Sequence, residues 1–188
     1  RALFRYPEFW RAVRNTFIIG AGKVIANQLV FLGLALLLNE VLSVGLKRFM
    51  QNILYLPHFF SWVFLGGLLV NVLSPSTGIV NDMLKLFGSK PIYFLASPDW
   101  FRPTLIASTV YRQAGWGTIV FMAALTSIDE QLYESAMIDG AGRLRQMWHI
   151  TIPMLMPVFM TVLILRLGHI LGMDTFQQLL VLMTPIVQ

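Results

Sequence analysis

TSIDEQLYESAMIDGAGRLRQMWHITIP, residues 126–153, separates two apolar runs at about 104–125 and 154–173, and its reading decides what the flanking segments are. Ser127 and Glu130 form a capping-box pattern, in which the hydroxyl accepts from the amide three residues on and the carboxylate reaches back. Ile128, Leu132, Tyr133, Ala136 and Met137 then recur at helical spacing, giving one apolar face. Gly140 supplies the left-handed conformation that stops the helix. Leu144, Met147, Trp148 and Thr151 make a second stripe, which Pro153 closes. The stretch therefore predicts two short amphipathic helices joined at a glycine corner, outside a bilayer yet tied to it.

Outward from this segment the chain is strongly apolar. Its 188 residues are 56% hydrophobic and 12% charged, with no cysteine and a net charge of +5. Soluble domains carry about 25% charged residues, and a domain of this size exposes too much surface to hide the surplus, so the medium is lipid. Four runs are near the roughly 20 residues that cross a hydrocarbon core: about 16–38, 53–73, 104–125 and 154–173. Lipid satisfies no backbone group, so each is expected to be an uninterrupted helix, giving an all-α polytopic bundle in a single transmembrane domain over 1–188. Gly20, Gly22, Ala26, Gly33, Gly66, Gly67, Gly115 and Gly117 recur along the runs, as where helices pack closely.

Residues 39–52 read as a short polar link, and 74–103 as a longer loop with a short helix at 79–87. Residues 1–14 interleave arginines with Phe4, Tyr6, Phe9, Trp10 and Val13, the pattern of an interfacial amphipathic helix. Arg1 and Gln188 are read as truncation points of a longer polypeptide. Gly20-Ala21-Gly22-Lys23 is no phosphate loop, because Phe17 stands where its first glycine belongs and Val24 where Ser or Thr belongs. His58, His149 and His169 are too dispersed for a metal set, and no nucleophile–base pair emerges. The scattered cations form no nucleic-acid patch.

Glu134-Ser135-Ala136, three residues, Gly140, nine residues and Ile150-Thr151-Ile152-Pro153 together resemble the EAA motif of ABC importer permeases, with Ser135 in place of Ala and Ile152 in place of Leu. Asp139-Gly140-Ala141 is similar to the variant common in carbohydrate importers. Asn15-Thr16, Leu56-Pro57-His58 and Gly115-Trp116-Gly117 also look like that branch, nearest the complex-oligosaccharide group. The match covers essentially the whole chain, as the second through fifth helices of the family's core.

The resemblance implies a bacterial cytoplasmic-membrane permease that passes an oligosaccharide by alternating access. Its partners would be two ATP-binding subunits, a second permease and an extracytoplasmic solute-binding protein. ATP and Mg would be bound by the ATPases, and the chain itself would be no enzyme. Glu134, Ser135, Ala136, Asp139, Gly140, Ala141, Ile150 and Pro153 are then the ATPase-coupling residues, with Ala136 on the docking face. Lys23, Arg112 and Arg166 lie within expected spans, where a central cation costs about 2.5–3.5 kcal/mol. They either pair with protein groups or line a pathway with Gln113, Trp116 and His169 that favours acidic sugars. Tyr111, Trp116 and Phe121 are candidates for stacking on sugar rings.

The resemblance puts 39–52 and 126–153 in the cytoplasm, with Lys47, Arg48, Arg143 and Arg145. Outside it leaves Arg1, Arg5, Arg11, Arg14, Lys85, Lys90 and Arg102, against the usual inside excess of cations. The orientation is thus the resemblance's alone. The rivals are a permease for a non-sugar solute such as an amino acid or peptide, an ATPase-independent channel or secondary transporter, and an intramembrane enzyme.

Overall fold

The computed structural model describes residues 6–168 and 173–187, and every regular element among them is helical, as the all-α expectation requires. Helix α1 (Pro7–Asn39) opens on a proline, whose missing N–H is no loss at a helix start, with Glu8 in the first turn facing the positive end of the dipole. Its 33 residues extend about 50 Å, beyond the ~30 Å of a hydrocarbon core. From Pro7 onward, the separate interfacial helix expected over 1–14 is therefore the outer end of the first span. No proline or glycine separates the two.

The second span is broken, contrary to the uninterrupted helix expected over 53–73. Helix α2 (Val44–Tyr55) starts inside the supposed polar link, on Ser43, whose hydroxyl accepts from the Leu46 amide at 3.4 Å. It tightens into a 3-10 turn at Leu56–Phe59, where Pro57 removes a donor. Phe60 is extended, Ser61 accepts from the Phe64 amide at 3.3 Å, and α3 (Trp62–Val72) leaves at 105° to the preceding segment.

Helix α5 (Pro98–Leu125) starts at Pro98, not at 104, because a proline at the first position begins a helix as readily as it ends a loop. By length and apolarity, α1 and the continuous stretch Arg143–Leu167 can each cross a membrane, and the bent pair adds a third crossing if it counts as one. Helix α5 is about 42 Å long at 1.5 Å per residue but carries Arg112, Gln113, Ser108 and Thr109 in mid-run. Its buried face includes Ser108, Thr109 and Thr118. Beyond Gly168, helix α9 (Met173–Val187) was not anticipated by a fourth span ending at 173.

Two apolar clusters hold these helices. Phe31 and Ala35 of α1 meet Phe121 and Leu125 of α5 and Leu155 of α8 (Ile152–Leu167). Ile19, Leu105 and Leu182 join α1, α5 and α9. At Gly117 a Cβ would overlap the ring of Phe31, and at Gly115 it would overlap the carbonyl of Leu54. Only a bare Cα lets α5 approach both neighbours so closely.

The loop after α3 holds α4 (Ile79–Leu86), close to the short helix read at 79–87. Asn81, fully buried, organises it. Its amide nitrogen donates to the carbonyls of Leu73, Ser74 and Ile92 at 3.2, 3.0 and 3.1 Å, and its carbonyl accepts from the Ile92 amide at 2.7 Å. Each buried backbone group left unpaired costs about 1–3 kcal/mol. Asn81→Leu should therefore lower the thermal midpoint in detergent and open the 74–97 loop to limited proteolysis, while the exposed Asn52→Leu leaves both unchanged.

Candidate functional site

The segment 126–153 is built differently from the capping box read in it. Ser127 turns back and donates to the Ala124 carbonyl at 2.7 Å, ending α5. Asp129 is the cap of α6 (Glu130–Ile138), accepting from the Gln131 amide at 3.0 Å. Ser127 loses the role because its hydroxyl is already used by the preceding helix. Gly140 stops α6 as expected, with φ +77. The Ala141 amide donates to the Ala136 carbonyl at 2.8 Å, and the Gly140 amide to that of Met137 at 3.0 Å, the paired bonds of a Schellman turn. Gln146 then donates from its side chain to the Ala141 carbonyl at 2.9 Å.

Pro153 closes nothing. Helix α7 (Arg143–Gln146) passes into a π turn at Met147–Thr151 and on into α8 without interruption. The second amphipathic helix is therefore the first part of the next span. Pro153 offers no N–H to the carbonyl four residues back and would crowd it. A wider turn immediately before it is one way a helix absorbs such a residue.

Of the residues the EAA-like resemblance singles out, Glu134, Ser135, Asp139, Gly140 and Pro153 are exposed, while Ala136, Ala141 and Ile150 are half-buried, as is Tyr133. Ala136, whose carbonyl takes the Ala141 amide, is more covered than its neighbours Glu134 and Ser135. The outward surface is made by Met137, Ile138, Leu144 and Trp148, with Ile138 87% and Leu144 72% exposed. Met137 and Ile138 stand at the end of α6, whereas Leu144 and Trp148 belong to the stretch Arg143–Leu167 that can cross a membrane. Within the segment the Tyr133 hydroxyl lies 3.0 Å from the Thr151 hydroxyl, and the segment meets the bundle through Ile128, packed on the Phe31 cluster, and through a 3.5 Å ion pair from Arg143 to Glu40 just past α1.

The polar residues in the spans are also engaged. Lys23 donates from Nζ to Gln178 Oε1 and lies 3.4 Å from the Thr175 hydroxyl. Gln178 Oε1 also accepts from Thr109 at 3.1 Å, while its Nε2 donates to the Leu105 carbonyl at 2.8 Å and to Ser108 Oγ at 2.7 Å. Arg112 donates from Nε to the Phe60 carbonyl at 3.2 Å, with its guanidinium 4.9 Å from the Trp62 ring centroid. It thus satisfies the backbone where the second span breaks. Arg166 donates to Gln113 Oε1 at 2.7 Å and lies over the Phe31 ring at 4.4 Å.

Trp116 stacks on His58 at 4.8 Å, and exposed Tyr111 lines a cavity of about 340 Å³ with Phe94, Trp100, Thr104 and Ser108. Phe121 is fully buried in the core and cannot meet a solute. His169 lies outside the described residues. Arg112, Gln113 and Trp116 share one stretch of α5, and Arg166 reaches it from α8. Arg166 and Gln113 pair with each other, while Arg112 and Trp116 hold the broken span.

Residues 29–188 match the model of the family described as binding-protein-dependent transport system inner membrane component. The chain belongs to that family. It is 44% identical over 169 residues to the polygalacturonan/rhamnogalacturonan transport system permease protein YteP of Bacillus subtilis (strain 168), covering 90% of this chain and 53% of the relative. It is also similar to a chain of a bacterial ABC transporter involved in the import of the acidic polysaccharide alginate, with TM-score 0.86 and 41% identity over 94% of this chain and 66% of that one. The same scores recur for a bacterial alginate ABC transporter in complex with an alginate pentasaccharide-bound periplasmic protein, where the match covers 65% of that chain. The chain spans about half the length of the curated relatives it matches.

Sequence reading missed Gln178, Ser108 and Thr109, which carry no spacing signal because their partner helices are far apart in the chain. It saw Tyr133 only as an apolar position. The network predicts that Gln178→Leu, which leaves several buried groups unpaired at about 1–3 kcal/mol each, lowers the thermal midpoint in detergent. The exposed neighbour Gln177→Leu should shift it little.

Proposed function

We propose that this chain is the membrane-spanning core of an importer permease in the bacterial cytoplasmic membrane. It would admit an oligosaccharide by alternating access, driven by ATP hydrolysis in two separate ATPase subunits. The observation that carries this reading is the segment 126–153: a short helix, α6, that ends with exposed Met137 and Ile138 at the left-handed Gly140, outside the long helices. That segment holds the EAA-like residues Glu134, Ser135 and Asp139 in the open, where a partner's cleft reaches them. A second permease and a solute-binding protein complete the assembly. The alginate transporter in complex with its oligosaccharide-bound periplasmic protein supports the latter.

An acidic oligosaccharide is the cargo that fits best. Two relatives are named for a polygalacturonan/rhamnogalacturonan and for the acidic polysaccharide alginate. The Arg166 guanidinium, half-buried and bonded to a neutral amide, stands within the bundle with no carboxylate beside it among the described residues. We expect Arg166→Gln to lower uptake of a labelled oligogalacturonate more than that of a neutral oligosaccharide. Equal effects on the two would remove the charge argument.

Gly140 tests the docking. A Cβ there meets nothing within 4 Å, so an added side chain fits in space. The left-handed backbone costs about 1–2 kcal/mol for most residues, though Asp tolerates it better. Gly140→Asp should therefore insert normally, yet fail to co-purify with the ATPase subunits. Retained assembly and ATP-driven uptake would count against the coupling role, and uptake without ATP would point to a channel or secondary transporter.

A further inference from the structure

We propose that the Tyr133–Thr151 hydrogen bond is the strut through which movement of α6 reaches α8, making Tyr133 and Thr151 positioning residues for energy coupling. The inference rests on the ATPase-docking reading of 126–153 and adds the route by which that docking acts on the bundle.

The argument begins with how lightly α6 is held. Along its length it packs extensively against no other helix, and only Tyr133 and Ala136 are half-buried. Two paths lead from it toward α8. The covalent one runs through Asp139, Gly140, Ala141 and Gly142. No side chain packs on this corner, which is held by its own turn bonds and by the Gln146 side chain on the Ala141 carbonyl. Its bonds stay between residues 136 and 146 and do not reach the packed core. The other path is the 3.0 Å contact between the Tyr133 and Thr151 hydroxyls, which bridges 18 residues. Among the described residues no other side-chain hydrogen bond joins α6 to the stretch from Arg143 to Leu167.

The far end of the contact is anchored. Thr151 is buried and is the last residue of the π turn, directly before α8. Leu155, one turn on, lies in the cluster with Phe31 and Phe121. A displacement of Tyr133 is thus delivered to a widened turn, where the backbone ladder is already loosened by Pro153, and from there to the packed core. Tyr133 supplies a rigid ring as the arm, and the hydroxyl pair supplies the grip.

The test uses the complete transporter, with its ATPase subunits and solute-binding protein, in proteoliposomes supplied with ATP and labelled oligogalacturonate. Uptake per ATP hydrolysed is read for the parent, Tyr133→Phe, Thr151→Val, the double variant and Thr151→Ser. We expect Tyr133→Phe and Thr151→Val to assemble and hydrolyse ATP, with uptake per ATP falling roughly two- to tenfold, the range that one net hydrogen bond sets. The double variant should fall no further, because both substitutions cut one bond, and Thr151→Ser should retain the parental ratio. An unchanged ratio in Tyr133→Phe overturns the strut and leaves the functional reading standing. Additive losses, or failure of Tyr133→Phe to bind the ATPases, also overturn it, because Tyr133 would then act elsewhere. A parent complex that neither binds ATPases nor transports refutes the functional reading itself.

Discussion

The buried amide of Gln178 joins three helices, and it shows the constraint under which the rest of the chain is built. In an apolar surround, water completes no hydrogen bond, so every polar group must find its partner in the protein. Gln178 does so completely: its oxygen accepts from Lys23 and Thr109, and its nitrogen donates to Leu105 and Ser108. The amide thereby ties α1, α5 and α9 together. Arg112 meets the same demand where the second span breaks, by donating to the Phe60 carbonyl that the extended residue leaves outside any helix. The polar residues of α5 are therefore the reason this less hydrophobic helix can stand at the centre of the bundle.

Against that firmly bonded interior, the segment 126–153 is lightly attached. Its exposed apolar side chains and its few attachments, Ile128 on the Phe31 cluster and Arg143 on Glu40, contrast with the interlocked clusters around Phe31 and Leu105. Such a division suits a transport subunit. On the proposed reading the bundle moves as bodies between two discrete arrangements, and the part that receives the stroke needs an accessible surface and a defined attachment.

Proline positions show where local reading succeeds and where it fails. Pro57 lies at a true break, Pro98 begins a helix, and Pro153 rides inside a continuous one. The residue is the same in each case, and its effect depends on what satisfies the backbone around it. At Pro57 the chain turns because Ser61 can cap a new helix and Arg112 can take the orphaned carbonyl. At Pro153 a π turn absorbs the missing donor. Ser127 teaches the same lesson: its spacing to Glu130 is that of a capping box, but its hydroxyl is taken by the helix before it.

Composition and short-range pattern were enough for the helical class, the apolar setting, the glycine stop at Gly140 and the resemblance that names the family. These depend on composition, on residues close in the chain, or on a motif with fixed spacing. Tertiary structure alone decided the 105° break, the extra helix α9 and the partial burial of Ala136. It alone decided the partners of Lys23, Arg112 and Arg166. Those outcomes turn on which distant side chain arrives to complete a hydrogen bond, and a one-dimensional pattern holds no distance between residues 23 and 178 or between 60 and 112.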